Sequence, residues 1–259
     1  MKVFTVRLFF FVSLMAIGFS GAKAFAAPTD YLNPDYYLGK SIAEVLMLAG
    51  TMGYGEYKVV ADPQLSQRLS AAQRLVMSNP FYNYRFKDIQ VVVIQGAKGE
   101  PNAFSLGPVI FVTQSLGMAL NDRQLTAVLT HEMAHSHEGH FAQRIPMPLG
   151  AIVYQATQLL ISGRTSSPAS LKNFTDMVRE NIETVHLATE IQADCLAANQ
   201  LNYLHQRGFA NTASDLVDAT NALYGEDVTE LKDDYGDPGI IRAKIIKSNQ
   251  YAIFGCNIF

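Results

Sequence analysis

The chain has 259 residues, of which 49% are hydrophobic and 17% charged, with a formal net charge of −3. That balance excludes a disordered or low-complexity polypeptide. The mild acidity gives no electrostatic case for binding nucleic acid or an anionic membrane surface.

Residues 1–26 read MKVFTVRLFFFVSLMAIGFSGAKAFA. Lys2 and Arg7 form a basic start, Leu8 to Phe19 an apolar core, and Ala24-Phe25-Ala26 a small-x-small cleavage site, with Ala22-Lys23-Ala24 as a second candidate. The expectation is a signal peptide that exports the protein to the periplasm or cell envelope, with secretion as the alternative. An uncleaved anchor is the other reading, although the apolar core is short for a spanning helix. Loss of Lys2, Arg7 and Lys23 with the signal takes the formal charge from −3 to −6. Residues 27–259 then suit one domain with a real core.

Residues 28–40 are rich in Pro, Asn, Gly and Tyr and predict an irregular arm. Ser41-Ile-Ala-Glu44 has the capping-box pattern, which predicts a helix from Ser41 to about Gly50. Gly53 and Gly55 mark a loop. Asp62-Pro63 reads as an N-cap with Pro at N1, opening a helix through Val76 that stops before Asn79-Pro80. Leu65, Leu69, Ala72 and Val76 form its core face. Ile89 to Gln95 and Val109 to Thr113 are short β-branched runs that predict strands.

Asn121-Asp122 caps a long helix that carries Leu125, Val128, Leu129 and the run HEMAH, residues 131–135. Histidines at i and i+4 of a helix point the same way, one turn apart. His131 and His135 can therefore share one zinc ion, with Glu132 between them as a proton acceptor for attacking water. Beyond them the segment TEIQADCLAAN sets Glu190 and Asp194 at i and i+4 of a second helix. Glu190 can supply a third ligand, and Asp194 can accept a hydrogen bond from a ligating histidine and fix its tautomer. Three protein ligands leave one coordination position open, the mark of a catalytic site, and imply one zinc per chain. His137 falls off the ligand face and reads as exposed, and Glu138 as a solvated charge. His140 lies roughly opposite His131 on an unbroken helix, which points to structural hydrogen bonding rather than ligation.

Residues 147–163 are the most hydrophobic stretch after the signal, yet too short to span a bilayer. A core or lid helix is the plainer reading, with peripheral membrane contact as the alternative. GRTSSPAS, residues 163–170, reads as a flexible link. Helical pattern resumes at about Leu171, runs through the Glu190 segment to a C-cap at Gly208, and returns over 212–224. Asp237-Pro238 opens a last helix holding Ile240, Ile241 and Ile245. Cys195 and Cys256 admit a bridge in an oxidising compartment, but a buried free thiol at Cys195 is the plainer reading.

HExxH followed by ExxAD resembles the zinc metallopeptidases of the CAAX prenyl endopeptidase, HtpX and BepA type, metallopeptidase family forty-eight. NAFSLGPVIFVTQSL at 102–116, His140, and DPGIIRAKI at 237–245 add to the likeness, which covers roughly 88–245. The sequence has Leu106-Gly107-Pro108 where that family usually has Pro-Gly-Gly, and Asp237 where many members carry a histidine near the metal.

The resemblance implies an α+β, mostly helical zincin with a small β-sheet beside the HExxH helix. It implies that the strand Val109, Ile110, Phe111, Val112 forms the active-site edge, where a substrate backbone could pair. Asn102 and Phe104 match family positions in the loop before that strand, and Phe104 reads as a buried aromatic. Arg242 matches the family arginine, which implies either a part in stabilising the oxyanion or, the favoured reading, holding a carboxylate such as Asp194. The implied activity is hydrolysis of peptide bonds in misfolded or unassembled envelope proteins, with polypeptides as partners. A zinc-bound, chaperone-like factor that holds extended chains without cutting them is the alternative.

Overall fold

The computed structural model describes residues 34–53, 57–79, 87–96, 99–144 and 187–224, together with 169, 172–173 and 176. The signal segment, most of 147–186 including the apolar stretch, and the C-terminal segment with Asp237 and Arg242 lie outside the described residues. Among the described residues no helix is long and apolar enough to cross a membrane.

The first helix, α1 (Pro34–Thr51), overturns the expected arm, because the chain is already helical seven residues before Ser41. Pro34 suits a first helical position, and Asp35 lies in the first turn, where the helix dipole favours an acid. Leu38, Ile42, Val45, Leu46 and Ala49 are all buried, a stripe at helical spacing that passes straight across Ser41. The capping-box pattern there is coincidental, since Ser41 is an interior, buried position.

Four strands form one sheet in the order β1 (Tyr57–Val59), β2 (Gln90–Gly96), β4 (Val109–Thr113), β3 (Ala103–Leu106). The β2–β4 pair is parallel, and the two outer pairs are antiparallel. This arrangement corrects the expected edge. Val109, Ile110, Phe111 and Val112 pair with β2 on one side and β3 on the other, so their backbone is already engaged. The physical reason is pairing: a short strand from the preceding segment takes up the outer edge of β4, which an apolar run by itself does not reveal. The outer strand on that side is β3, within the segment expected to be a loop.

Alternation along the strands sorts the core into two layers. Val92, Ile94, Val109 and Phe111 face α1, where Leu38, Ile42 and Leu46 cover them. Val93, Ile110 and Val112 face the opposite way, onto α2 (Pro63–Met77) and α4 (Asp122–Glu138) through Leu65, Leu69, Leu125, Leu129 and Met133. Each such aliphatic side chain contributes about 1.5–3 kcal/mol when fully buried. Phe104 stacks on Phe111 with ring centroids 5.1 Å apart, which bears out its reading as a buried aromatic.

The β3–β4 turn is two residues long, and Gly107 adopts φ 55°, a left-handed value that glycine tolerates. Here α1 crosses in close contact. A Cβ on Gly39 would stand 2.5 Å from the Gly107 nitrogen.

Asp62 caps α2 as expected, accepting from the Leu65 amide at 2.9 Å. Between β4 and α4 lies a short helix, α3 (Gln114–Ala119), whose terminal carbonyls are met from α2. Arg68 donates to Gly117 O and Leu120 O at 2.6 Å each and to Asp122 Oδ1 at 2.5 Å, fixing where α4 starts. A capping box of Asn121 and Gln124 then opens α4.

The last two described helices are α6 (Leu187–Gln206) and α7 (Ser214–Tyr224), preceded by the one-turn α5 (His140–Arg144). Small side chains, Ala127 on α4 with Ala197 and Ala198 on α6, are buried at their seam and let the helices approach closely. Cys195 in that seam is disulfide-bonded rather than a free thiol, and the other cysteine, Cys256, lies outside the described residues. The architecture is α+β, mostly helical, with a mixed four-stranded sheet.

Candidate metal centre

The second half of α4 is buried although it is polar, so its side chains need partners. Thr126 and Thr130 donate to the carbonyls four residues earlier at 2.7 Å, and Ser136 donates to Glu132 O at 3.2 Å. This leaves the histidine face to meet α6. His131, Glu132, His135, Glu190 and Asp194 are all buried.

The expected ligands converge. His131 Nε2 stands 3.1 Å from Glu190 Oε2, and His135 Nε2 3.2 Å from Glu190 Oε1. The two Nε2 atoms are 2.9 Å apart. One donor atom from each of the three residues lies within 4.8 Å of the others. With metal–ligand bonds of about 2.0–2.2 Å, the edge of a zinc tetrahedron is about 3.3–3.6 Å. The three donors therefore match one face of such a site after a slight outward spread, and the two imidazoles with a carboxylate suit zinc.

Charge agrees with geometry. Burial opposes ionisation of Glu190, but the imidazoles of His135 and His131, through charge and hydrogen bonds, outweigh it. Its carboxyl is held below the ordinary carboxylate range, in the form a metal ligand needs. On the far side of His131, Asp194 Oδ1 lies 2.8 Å from Nδ1.

A protein-family model described as Peptidase family M48 matches residues 63–219, more than half of the sequence. The chain belongs to peptidase family M48. No curated protein matches it. Membership makes this M48 chain a metallopeptidase of a zinc-dependent family, and the matched span contains α4, α6 and the buried His131, His135, Glu190 group.

Three residues around this centre, His140, Glu138 and His137, differ from expectation. The argument that set His140 opposite His131 assumed an unbroken helix. Instead α4 ends at Glu138, and Gly139, with φ 71°, turns the chain so that His140 begins α5. The turn brings His140 Nδ1 to 2.8 Å from His135 Nδ1. His140 thus makes the hydrogen bond assigned to it, by a route that the periodicity did not contain. Glu138 is not simply a solvated charge, because Gln192 Nε2 donates to its Oε2 at 2.9 Å. Gln192 Oε1 in turn faces His140 Nε2 at 3.1 Å. Reading the sequence missed Gln192 altogether. Its signal was slight, a polar residue two positions after Glu190 on a helix with a buried face.

Asn102 is held in place by its backbone, with O accepting from Thr113 N at 2.9 Å and N donating to Thr113 Oγ1 at 2.8 Å. His137 is half-buried rather than exposed.

Proposed function

We propose that this M48 peptidase is an exported endopeptidase of the HtpX, BepA and CAAX endopeptidase type that cleaves misfolded or unassembled envelope proteins. The observation that carries the chemistry is the convergence of His131, His135 and Glu190 with a buried Glu132 beside them on α4. His131, His135 and Glu190 would hold one zinc ion, which when bound supplies Lewis acidity to the scissile carbonyl and to the attacking water. Glu132 accepts the proton of that water and returns it to the leaving amine nitrogen. Asp194 orients His131 throughout. Arg242 and Asp237 fall outside the described residues, so the donor that steadies the oxyanion is unassigned.

An extended substrate would lie along β3, the end strand of the sheet, which packs beside α4. Added-strand pairing reads backbone rather than sequence, and it suits a substrate that has lost its fold. Export rests on the basic start, apolar core and Ala-x-Ala pattern of residues 1–26.

The purified mature protein is expected to cleave an unfolded protein with zinc present, to stop on adding chelator, and to begin near Ala27 by mass spectrometry. Cleavage that persists after complete metal removal would refute the chemistry. An N-terminus still at Met1 in a cytosolic fraction would refute the location.

A further inference from the structure

α5 is a single turn of five residues, and one turn of helix does not hold itself together in water. What anchors it decides where His140 sits, and His140 stands behind His135. The His135 ring is contacted at both ends. Its Nε2 faces Glu190 Oε1 at 3.2 Å and His131 Nε2 at 2.9 Å, within the donor group. Its Nδ1 lies 2.8 Å from His140 Nδ1. The first end belongs to α4 and α6, whereas the second depends on α5.

Asp35, in the first turn of α1, reaches α5 across 107 residues of sequence. Its Oδ1 accepts from the Ala142 backbone N–H at 2.7 Å, and the residue is only 2% exposed. Ala142 is the third residue of α5, among the N–H groups that a helix start leaves without a carbonyl of the same helix. An oxygen from α1 thus takes the place of an N-cap side chain. Asp35 is itself fixed against the sheet, because its carbonyl lies where a Cβ on Gly107 of the β3–β4 turn would stand.

We propose that Asp35 is a positioning residue for the metal centre: by capping α5 from α1 it holds His140 against His135 and so sets the His135 ring. The inference rests on the reading of His131, His135 and Glu190 as the metal centre. Two other contacts of α5 lead back to the helices of that centre. His140 Nε2 lies 3.1 Å from Gln192 Oε1, and Gln143 Nε2 donates to Glu138 O at 3.2 Å. Phe141 packs with Leu38, Ile42 and Leu46 of α1, but apolar contact has no direction. The Asp35–Ala142 bond adds direction. Without it the N–H must move to find another partner, since leaving it unmet is costly.

The test uses the mature protein in four forms: wild type, Asp35→Ala, Asp35→Asn and Gly53→Ala. Gly53→Ala controls for lost stability, because it lies past the other end of α1 and its added Cβ meets nothing within 4 Å. Competition against a chromophoric chelator should show zinc affinity about tenfold lower in Asp35→Ala, the lower end of the cost of losing an outer partner of a ligand. The cobalt(II)-substituted protein reports ligand geometry, and its visible bands should shift in Asp35→Ala. Asp35→Asn keeps an acceptor oxygen for Ala142 and should keep the wild-type spectrum and most of the affinity. Gly53→Ala should match wild type in both. In chelator-treated wild type the Ala142 amide should resist hydrogen exchange, and the His135 and His140 rings should show proton Overhauser contacts. Asp35→Ala should lose both signals.

Asp35→Ala with wild-type affinity and spectrum would overturn the proposal. So would Asp35→Asn as impaired as Asp35→Ala, or Gly53→Ala weakened as much as either. Should Asp35→Ala fail to fold, the wild-type Ala142 amide and Asp35→Asn decide, and exchange as fast as at an exposed amide overturns the proposal. If wild type binds no zinc at all, the metal-centre reading fails. The amide exchange and ring contacts of the metal-free protein still decide whether Asp35 holds α5 to His135.

Discussion

Asp194 Oδ1 lies 2.8 Å from His131 Nδ1 with both side chains buried, an ion-pair contact on the side of the ring away from Glu190. Asp194→Ala should leave the histidine in place but free to change tautomer and tilt. Zinc affinity is expected to fall about 10–100-fold. Glu190→Ala removes a donor itself and should weaken binding further. Competition against a chromophoric chelator measures both, and wild-type affinity in Glu190→Ala would mean that the third ligand is misassigned.

Gly107 and Gly53 both have positive φ, but their surroundings differ. An added Cβ meets nothing within 4 Å at Gly53, whereas at Gly107 it runs into the Asp35 carbonyl oxygen. Gly53→Ala should cost about 1–2 kcal/mol for the left-handed backbone alone. Gly107→Ala should cost more, since α1 must also move off the hairpin. Urea denaturation of the two variants checks this, and equal losses would show that the Gly39–Gly107 crossing is loosely packed.

Asp62 holds the start of α2, and the Leu65 amide with the Gln114 side chain lowers its pKa from 3.8. A carboxyl whose pKa is depressed by folding adds stability above its unfolded pKa and loses it as pH falls through the folded value. Asn keeps the cap oxygen without the charge. Wild type should therefore melt above Asp62→Asn at neutral pH, with the gap closing as pH drops below 3.8. Melting curves from neutral to acid pH test it. A gap unchanged at low pH would assign the cap's benefit to shape rather than charge.

The metal centre was legible because its chemistry is local. Histidines at 131 and 135 must share a helix face, and so must Glu190 and Asp194. The fold was legible where caps and periodicity agreed, as at Asp62-Pro63 and Asn121-Asp122. It was misread where a short pattern competed with a longer one, as when Ser41 to Glu44 masked the stripe from Leu38 to Ala49. The edge strand failed for a different reason. Which strand ends a sheet depends on pairing, and β3, with only four residues, gave no run long enough to register. His140 and Gln192 depend on a single left-handed residue, Gly139, whose effect on direction no helical wheel contains.

Glu132 is buried on α4 between His131 and His135 and is not one of the three grouped donors, and the proposed chemistry makes it the proton acceptor. Glu132→Gln is nearly isosteric, so the fold and the zinc content should persist. What disappears is the proton acceptor, and loss of a general base typically lowers the rate by about a hundredfold or more. Binding of extended chain should survive, because pairing along β3 uses backbone groups. The measurement is twofold: zinc content with cleavage of an unfolded substrate in vitro, and rescue of whatever phenotype follows loss of the wild-type protein in cells. Retained zinc with lost cleavage and lost rescue supports the peptidase. Full rescue by Glu132→Gln would mean that holding the chain, not cutting it, is the biological work.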